Sequence, residues 1–321
     1  MRVVVLLAAI AALAFAQFKS TATLVVAPTT IVDANGNYVD VDPSDLILYD
    51  NGVRQPIQVD ESFNPISLVV AVQTASNSAA ILDKLGSSGI LFTELLAGDR
   101  GETAILTFSD EVRTLRDFTT NSDNLSAGLR SLHVQGNGAV ANDAVMQGLA
   151  MLAKRRNDRR RILLVIGEKR DRSSKLKFSA VLQEAQRQNV IIYWLTYSPF
   201  LEPFTAGPKT VKSKDPKKDG AALPPDMAPG NLLTVFSELA HQGKPDGSVQ
   251  LTRATGGRAI GFLKQEALEE AIQAIASEVH RQLIVSFAPP GGKPGEYHVI
   301  RIEVKGRPEL RSRARAGYWS M

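Results

Sequence analysis

The sequence predicts an α/β fold: a doubly wound, mostly parallel sheet, with a small accessory β-sandwich-like module formed by the N- and C-terminal strands. Three observations predict it. Short, nearly continuous apolar runs alternate with amphipathic helical segments through the middle of the chain. Turn-punctuated strands occupy both ends. The 321 residues suffice for one α/β domain of ordinary size plus a smaller module.

At the N-terminus, Met1-Arg2 precedes an apolar run from Val3 to Ala16 that ends Ala14-Phe15-Ala16. A basic start, a short apolar stretch and small residues at its end predict a secretory signal peptide over 1–16, cleaved after Ala16. Gln17 and Lys19 stop the run short of the roughly 20 residues a bilayer crossing needs. The expectation is therefore an exported protein, periplasmic or extracellular, with no transmembrane segment after signal removal. The chain has no cysteine, so disulfides, thiolate chemistry and cysteine metal sites are excluded, and stability must come from apolar burial.

From 17 to 62 the chain reads as the first strands of the accessory module. An apolar run from Thr23 to Ala27 and a turn at Asp33 to Asn37 are followed by a strand from Leu46 to Tyr49. Asp50-Asn51-Gly52 then predicts a tight hairpin, because Asn and Gly tolerate positive φ, and Val53 to Val59 is the returning strand.

The α/β domain is expected over 63–280. Its strands are Leu68–Val72, Glu102–Phe108, Arg161–Ile166, Val190–Tyr197 and Arg258–Phe262, with an edge hairpin strand at Val112–Asp117. Helices are expected at Ala79–Leu96, Asn124–Leu132, Asp143–Lys154, Leu176–Gln188, Leu232–His241 and Gln265–Glu278. Val145, Leu149 and Leu152 give the third of these its apolar stripe. The Pro- and Lys-rich stretch from Ser198 to Gly230 reads as a mobile surface insertion, with a docking segment as the alternative. The module closes over 281–321, with strands Gln282–Phe287 and Tyr297–Lys305 around a Pro-Gly turn at Pro289–Gly295. Strict alternation places His298, Ile300, Ile302 and Val304 on one face, and His298 is expected at a sheet edge.

The formal charge is +4, with basic residues gathered at Lys154-Arg155-Arg156 and Arg159-Arg160-Arg161. Aromatics are sparse there, which argues against nucleic acid and for a solvated helix face and turn, or else an anionic surface. Enzyme classes find little support. The histidines His133, His241, His280 and His298 show no metal-hydrolase spacing, and there is no phosphate-binding Gly-rich loop. Ser174-Lys175-Leu176-Lys177 has a Ser-x-x-Lys spacing without its companion motifs, and Glu269-Glu270 reads as helix-surface solvation.

An ordered series of segments carries a family resemblance. It includes Asp50-Asn51-Gly52-Val53, Pro65-Ile66-Ser67, Thr107-Phe108-Ser109-Asp110-Glu111-Val112, Asp117-Phe118-Thr119, Asn142-Asp143-Ala144, Arg161 to Ser174, Ile192-Tyr193, Thr255-Gly256-Gly257-Arg258 and Arg315-Ala316-Gly317-Tyr318. Through these the chain resembles the exported bacterial, acidobacterial-type proteins with a von Willebrand factor A-like domain, over nearly the whole mature chain. The resemblance implies a von Willebrand A/Rossmann-like sheet and a metal-ion-dependent adhesion site at the C-terminal ends of its strands. In the family an Asp-x-Ser-x-Ser loop, a Thr and a later Asp hold Mg²⁺, whose small hard ion needs octahedral oxygens.

Here those positions are degenerate. They fall on Gln73, Ala75, Asn77, Ala139 and Glu168. A register one residue later gives Thr74, Ser76 and Ser78, restoring two hydroxyls but no carboxylate. Only Glu168 keeps a charge, with Asp143 and Asp171 nearby. No cofactor is expected, weak Mg²⁺ or Ca²⁺ being the alternative, with a rearranged site on Glu168 and Asp171 a further one. The same residues have a plain structural reading: Ser76 and Asn77 cap the following helix, Asp143 suits a helix first turn, and Gly136, Gly138 and Gly167 permit tight turns. The expected function is an extracytoplasmic, non-catalytic protein-interaction module, with a structural envelope protein or a cryptic hydrolase as alternatives. Its contact loops would carry Thr74, Ser76, Ser78, Asn142, Asp143, Lys169, Arg170, Asp171 and Arg172, the cations attracting an acidic group of a protein partner.

Overall fold

The computed structural model describes residues 24–60, 65–89, 91–156, 158–197, 246–262 and 266–320. The expected signal peptide, the 198–230 insertion and the helix Leu232–His241 lie outside them.

A six-stranded sheet forms the centre. Its strands are β5 (Ile66–Gln73), β6 (Glu102–Phe108), β7 (Val112–Thr119), β8 (Arg160–Gly167), β9 (Ile191–Tyr197) and β10 (Ala259–Phe262). The order is β10-β9-β8-β5-β6-β7, all parallel except the antiparallel edge strand β7. Side chains alternate across the sheet, so each strand feeds two cores. Leu68, Val70, Val72, Leu164 and Tyr193 face one side. They are covered by α1 (Ala79–Gly86), a π-helical turn at Leu91–Ala97, α2 (Ser122–Arg130) and α6 (Glu266–Arg281). Val69, Ala71, Leu163, Val165 and Trp194 face the other, under α3 (Ala141–Ala153), α4 (Phe178–Arg187) and α5 (Gly247–Thr255). Covering both faces explains why β5, β6 and β9 are buried at every position.

The remaining strands build two antiparallel sheets. One has the order β13-β1-β11-β4, from Arg311–Arg313, Val25–Val32, Leu283–Phe287 and Gln58–Asp60. The other has the order β14-β12-β2-β3, from Gly317–Trp319, Tyr297–Val304, Leu46–Asp50 and Val53–Gln55. N-terminal strands pair with C-terminal ones in both, as in Val25 with Phe287 and Leu48 with Ile302. Ala27, Leu48, Val285, Phe287 and Ile302 form the core between them. The hairpin at Asn51-Gly52 forms as expected, with φ of 47° and 81°.

Several expectations are corrected. The single helix over Ala79–Leu96 is two pieces, because Ser87 and Ser88 donate hydroxyl hydrogen bonds back to the Lys84 carbonyl and end α1. The strand Val53–Val59 is also two, since Pro56 cannot donate to a ladder; β3 pairs with β2 and β4 with β11 in the other sheet. Helix α5 adds to the expected elements; Asp246 caps its start by accepting from the Ser248 N–H and Gly256 ends it at φ 84°. His298 is not at an edge: β14 pairs with β12 on its outer side, and the imidazole is buried against Asp50 and Tyr318. The basic run is a solvated face only in part: Lys154 and Arg156 are exposed, the others are not. Arg155 and Arg159 reach the nearly buried Glu102, and Arg160 donates to the Val279 carbonyl and Gln282.

The sandwich attaches where the parallel strands begin. Glu278 of α6, fully buried, takes Arg258, Arg313, Tyr193 and Tyr38. Arg315 reaches across from the C-terminal strands to the Gln186 carbonyl and Asn189 Oδ1 at the end of α4. The opposite end of the sheet is left to the loops.

Candidate functional site

Those loops leave the C-terminal ends of the strands. From β5 the chain runs on to β6 on one side; from β8 it runs to β9 on the other. The two diverge between β5 and β8, the position at which open α/β sheets generally form a ligand crevice. Gln73 ends β5 and Glu168 follows β8 there, facing each other.

Both are nearly buried, Gln73 at 1 % and Glu168 at 7 % exposure. The Glu168 N–H donates to Gln73 Oε1 at 2.8 Å, which fixes the amide so that its Nε2 faces the Glu168 carboxylate at 3.4 Å. Asn77 Nδ2 donates to the same carboxylate oxygen, Oε1, and Arg172 Nη2 donates to it at 2.7 Å. Three donors thus converge on one oxygen, and the charge is balanced by a guanidinium. Gly167 lets this happen through close approach: a Cβ there would lie 2.9 Å from Gln73 Oε1 and 3.0 Å from the Phe108 ring.

The contact at Glu168 gathers Gln73 and Asn77 but none of Thr74, Ser76 and Ser78. Thr74 is buried, with its N–H on the Phe108 carbonyl. Ser78 is buried and shares a hydrogen bond with the Tyr197 hydroxyl. Ser76 is exposed, and its N–H donates to the Gly136 carbonyl. The expected capping is therefore corrected: Ser78 occupies the N-cap of α1 without a side-chain capping bond, and Asn77 is engaged by Glu168. Ala75 and Ala139 are both buried. Ala139 contributes its carbonyl, which accepts the Arg172 N–H at 3.0 Å.

Other predicted residues hold the loop that carries Arg172. Asp143 accepts the N–H groups of Lys175 and Leu176, each at 3.0 Å. Asn142 donates to the Leu176 carbonyl, and Asp171 accepts from the Ser173 and Ser174 N–H groups. Lys169 stands 3.9 Å from Asp246, while Arg170 is exposed. Gly136 and Gly138 are also corrected: neither has positive φ, and both are small because Asp110 packs on them, a Cβ falling 2.2 and 2.5 Å from its carboxylate.

These residues do not fit a hard dication. Gln73 presents N–H donors where an oxygen is required, and the one carboxylate is already occupied by Arg172. Asn77 turns its N–H to Glu168 and leaves one neutral oxygen, Oδ1, unpaired among the described residues. Asp143 and Asp171 are committed to backbone N–H groups. Among the described residues no group of three or more His, Asp or Glu side chains could hold a metal ion. Among them, too, no helix is long and apolar enough to cross a membrane.

Sequence reasoning missed the cluster of His298, Asp50 and Tyr318, buried in the sandwich. His298 Nδ1 lies 2.8 Å from Asp50 Oδ1, and the Tyr318 hydroxyl donates to Asp50 Oδ2 at 2.7 Å. In the sequence Asp50 reads only as a turn residue, and the strand carrying Tyr318 is not announced.

No family model and no curated protein matches the chain. Among solved structures it is similar to an aerotolerance-related membrane protein from Bacteroides fragilis, at 14 % identity and TM-score 0.42, over 66 % of this chain and 99 % of that one. It is similar to the conserved hypothetical protein BatB from Bacteroides thetaiotaomicron, at 14 % and 0.42, over 67 % and 98 %. A third likeness is to the VWA domain of SpRpn10, at 13 % and 0.33, over 41 % and 75 %. These likenesses are partial and weak; strand order and burial carry the fold described above.

Proposed function

We propose that this chain is an exported, non-catalytic interaction module that binds a protein partner through the loops around Glu168, without a bridging metal. The degenerate adhesion site supports this reading. The observation that carries it is the convergence of Gln73, Asn77 and Arg172 on a single Glu168 oxygen. In an adhesion site a dication supplies the positive charge beside the carboxylates; here Arg172 supplies it from within the chain. Its side chain remains half exposed, and among the described residues its guanidinium hydrogen-bonds only through Nη2. Together with exposed Lys169 and Arg170 it gives the face a cationic rim suited to an acidic group of a partner.

The test is capture of partners from the native envelope by the full chain, with and without EDTA. Capture is expected to survive EDTA and to fall in a Lys169→Ala, Arg170→Ala, Arg172→Ala triple variant that remains folded by circular dichroism. Unchanged capture by that variant contradicts the reading.

A further inference from the structure

A cleft of about 520 Å³ lies beside the junction of the α/β domain and the sandwich, between α4 and the C-terminal strands. Leu24, Met146, Tyr318 and Trp319 give it apolar walls. Glu184 and Arg187 also line it, but they pair with each other at 2.6 Å and leave no net charge. The remaining charged residue on the lining is Arg315.

Arg315 is buried at 3 % exposure and, among the described residues, bonds only to neutral acceptors. Its guanidinium donates to the carbonyls of Gly317, Val26 and Gln186 and to Asn189 Oδ1, at 2.9, 3.1, 3.0 and 2.6 Å. Among the described residues no carboxylate pairs with it. Burial pushes its pKa down to about 10, the mark of a charge removed from water without a counter-charge. The charge of Arg315 is uncompensated although its nitrogens are all hydrogen-bonded, and one neutral donor on the lining residues is unspent: the Trp319 indole Nε1 is buried and has no hydrogen-bond partner among the described residues. An uncompensated cation and an unused N–H beside apolar walls ask for an acceptor that carries negative charge and an apolar body.

We propose that this cleft binds a small monocarboxylate with an apolar tail, its carboxylate drawn to Arg315 and its tail covering the walls at Met146 and Trp319. The site is separate from the Glu168 face and does not depend on how that face functions.

The test uses the full chain and three probes of matched length: decanoate, decanol and decyltrimethylammonium, each below its micelle concentration. Trp319 is one of only two tryptophans, so emission reports on the cleft. Decanoate is expected to give a saturable emission change and a raised Tm, with decanol at least about ten-fold weaker and the cation without effect. Arg315→Met should abolish the preference for decanoate. Because that variant can also disturb the junction, Ala180→Phe serves beside it; Ala180 is an exposed position of α4 on the cleft lining, and filling it should weaken decanoate without lowering Tm. Equal affinity for decanol and decanoate, a preference for the cation, no saturable response, or undiminished binding in Ala180→Phe would each overturn the proposal.

Discussion

The Glu168 N–H donates to Gln73 Oε1 at 2.8 Å, and this one bond orients the amide at the end of the central strand. With its oxygen committed to the backbone, Gln73 can offer the carboxylate only N–H donors. The crevice is thereby filled by the chain's own polar groups, and Arg172 closes it with a charge.

Arg172→Gln should cost about 1 kcal/mol, no more, because the guanidinium is half exposed and screened even though Glu168 is not. A double-mutant cycle with Glu168→Gln in urea denaturation measures it. Additive losses would mean that the pair is not coupled.

At the module junction the expected effect is larger. Glu278→Ala leaves Arg258 and Arg313 facing each other around a buried vacancy, and should destabilise by about 3 kcal/mol or more. Chemical denaturation should show a single transition in the wild type, since the same residue is bonded to Tyr193 of the central sheet and Tyr38 of the N-terminal segment. Two separate transitions would show that the sandwich unfolds independently.

Acid stability should depend on Glu102. Burial pushes its carboxyl up, but hydrogen bonds from Arg155 and Ser67 and the charge of Arg159 together hold it below the usual range. A depressed folded pKa contributes stability that is present above the unfolded value, about 4.3, and lost as pH falls through the folded one. Glu102→Gln should therefore cost about 2 kcal/mol at neutral pH, and the gap to the wild type should close below pH 4. A constant gap down to pH 2 would contradict this.

The hairpin turn offers a local test. Gly52 sits at φ 81° with open space around it, so Gly52→Ala is opposed by backbone strain alone. A loss of about 1 kcal/mol is expected, measured by thermal denaturation, and a neutral substitution would show that the turn adopts another geometry.

Much of the fold was legible because its signals are local and periodic. The apolar run at Leu68–Val72 announced a strand covered on both faces, and Asn51-Gly52 announced its turn. What escaped depends on partners distant in sequence. His298 reads the same at an edge or inside a sheet, and only Gly317–Trp319 pairing on its outer side decides between them. The arginines at 155, 159 and 160 look solvated until Glu102, Gln282 and the Val279 carbonyl are brought to them. At the candidate site the neutral side chains at Gln73 and Ala139 were readable. The use of Asn77 and Arg172 to satisfy Glu168 was not, since it needs the loops after β5 and β8 side by side.

The most direct measurement is titration of the full chain with Mn²⁺, followed by electron paramagnetic resonance, with Mg²⁺ competition and a Glu168→Gln control. The Gln73–Glu168–Arg172 arrangement predicts no saturable binding attributable to this face and no dependence of thermal stability on Mg²⁺ or EDTA. Saturable Mn²⁺ binding that Mg²⁺ displaces and Glu168→Gln abolishes would contradict it.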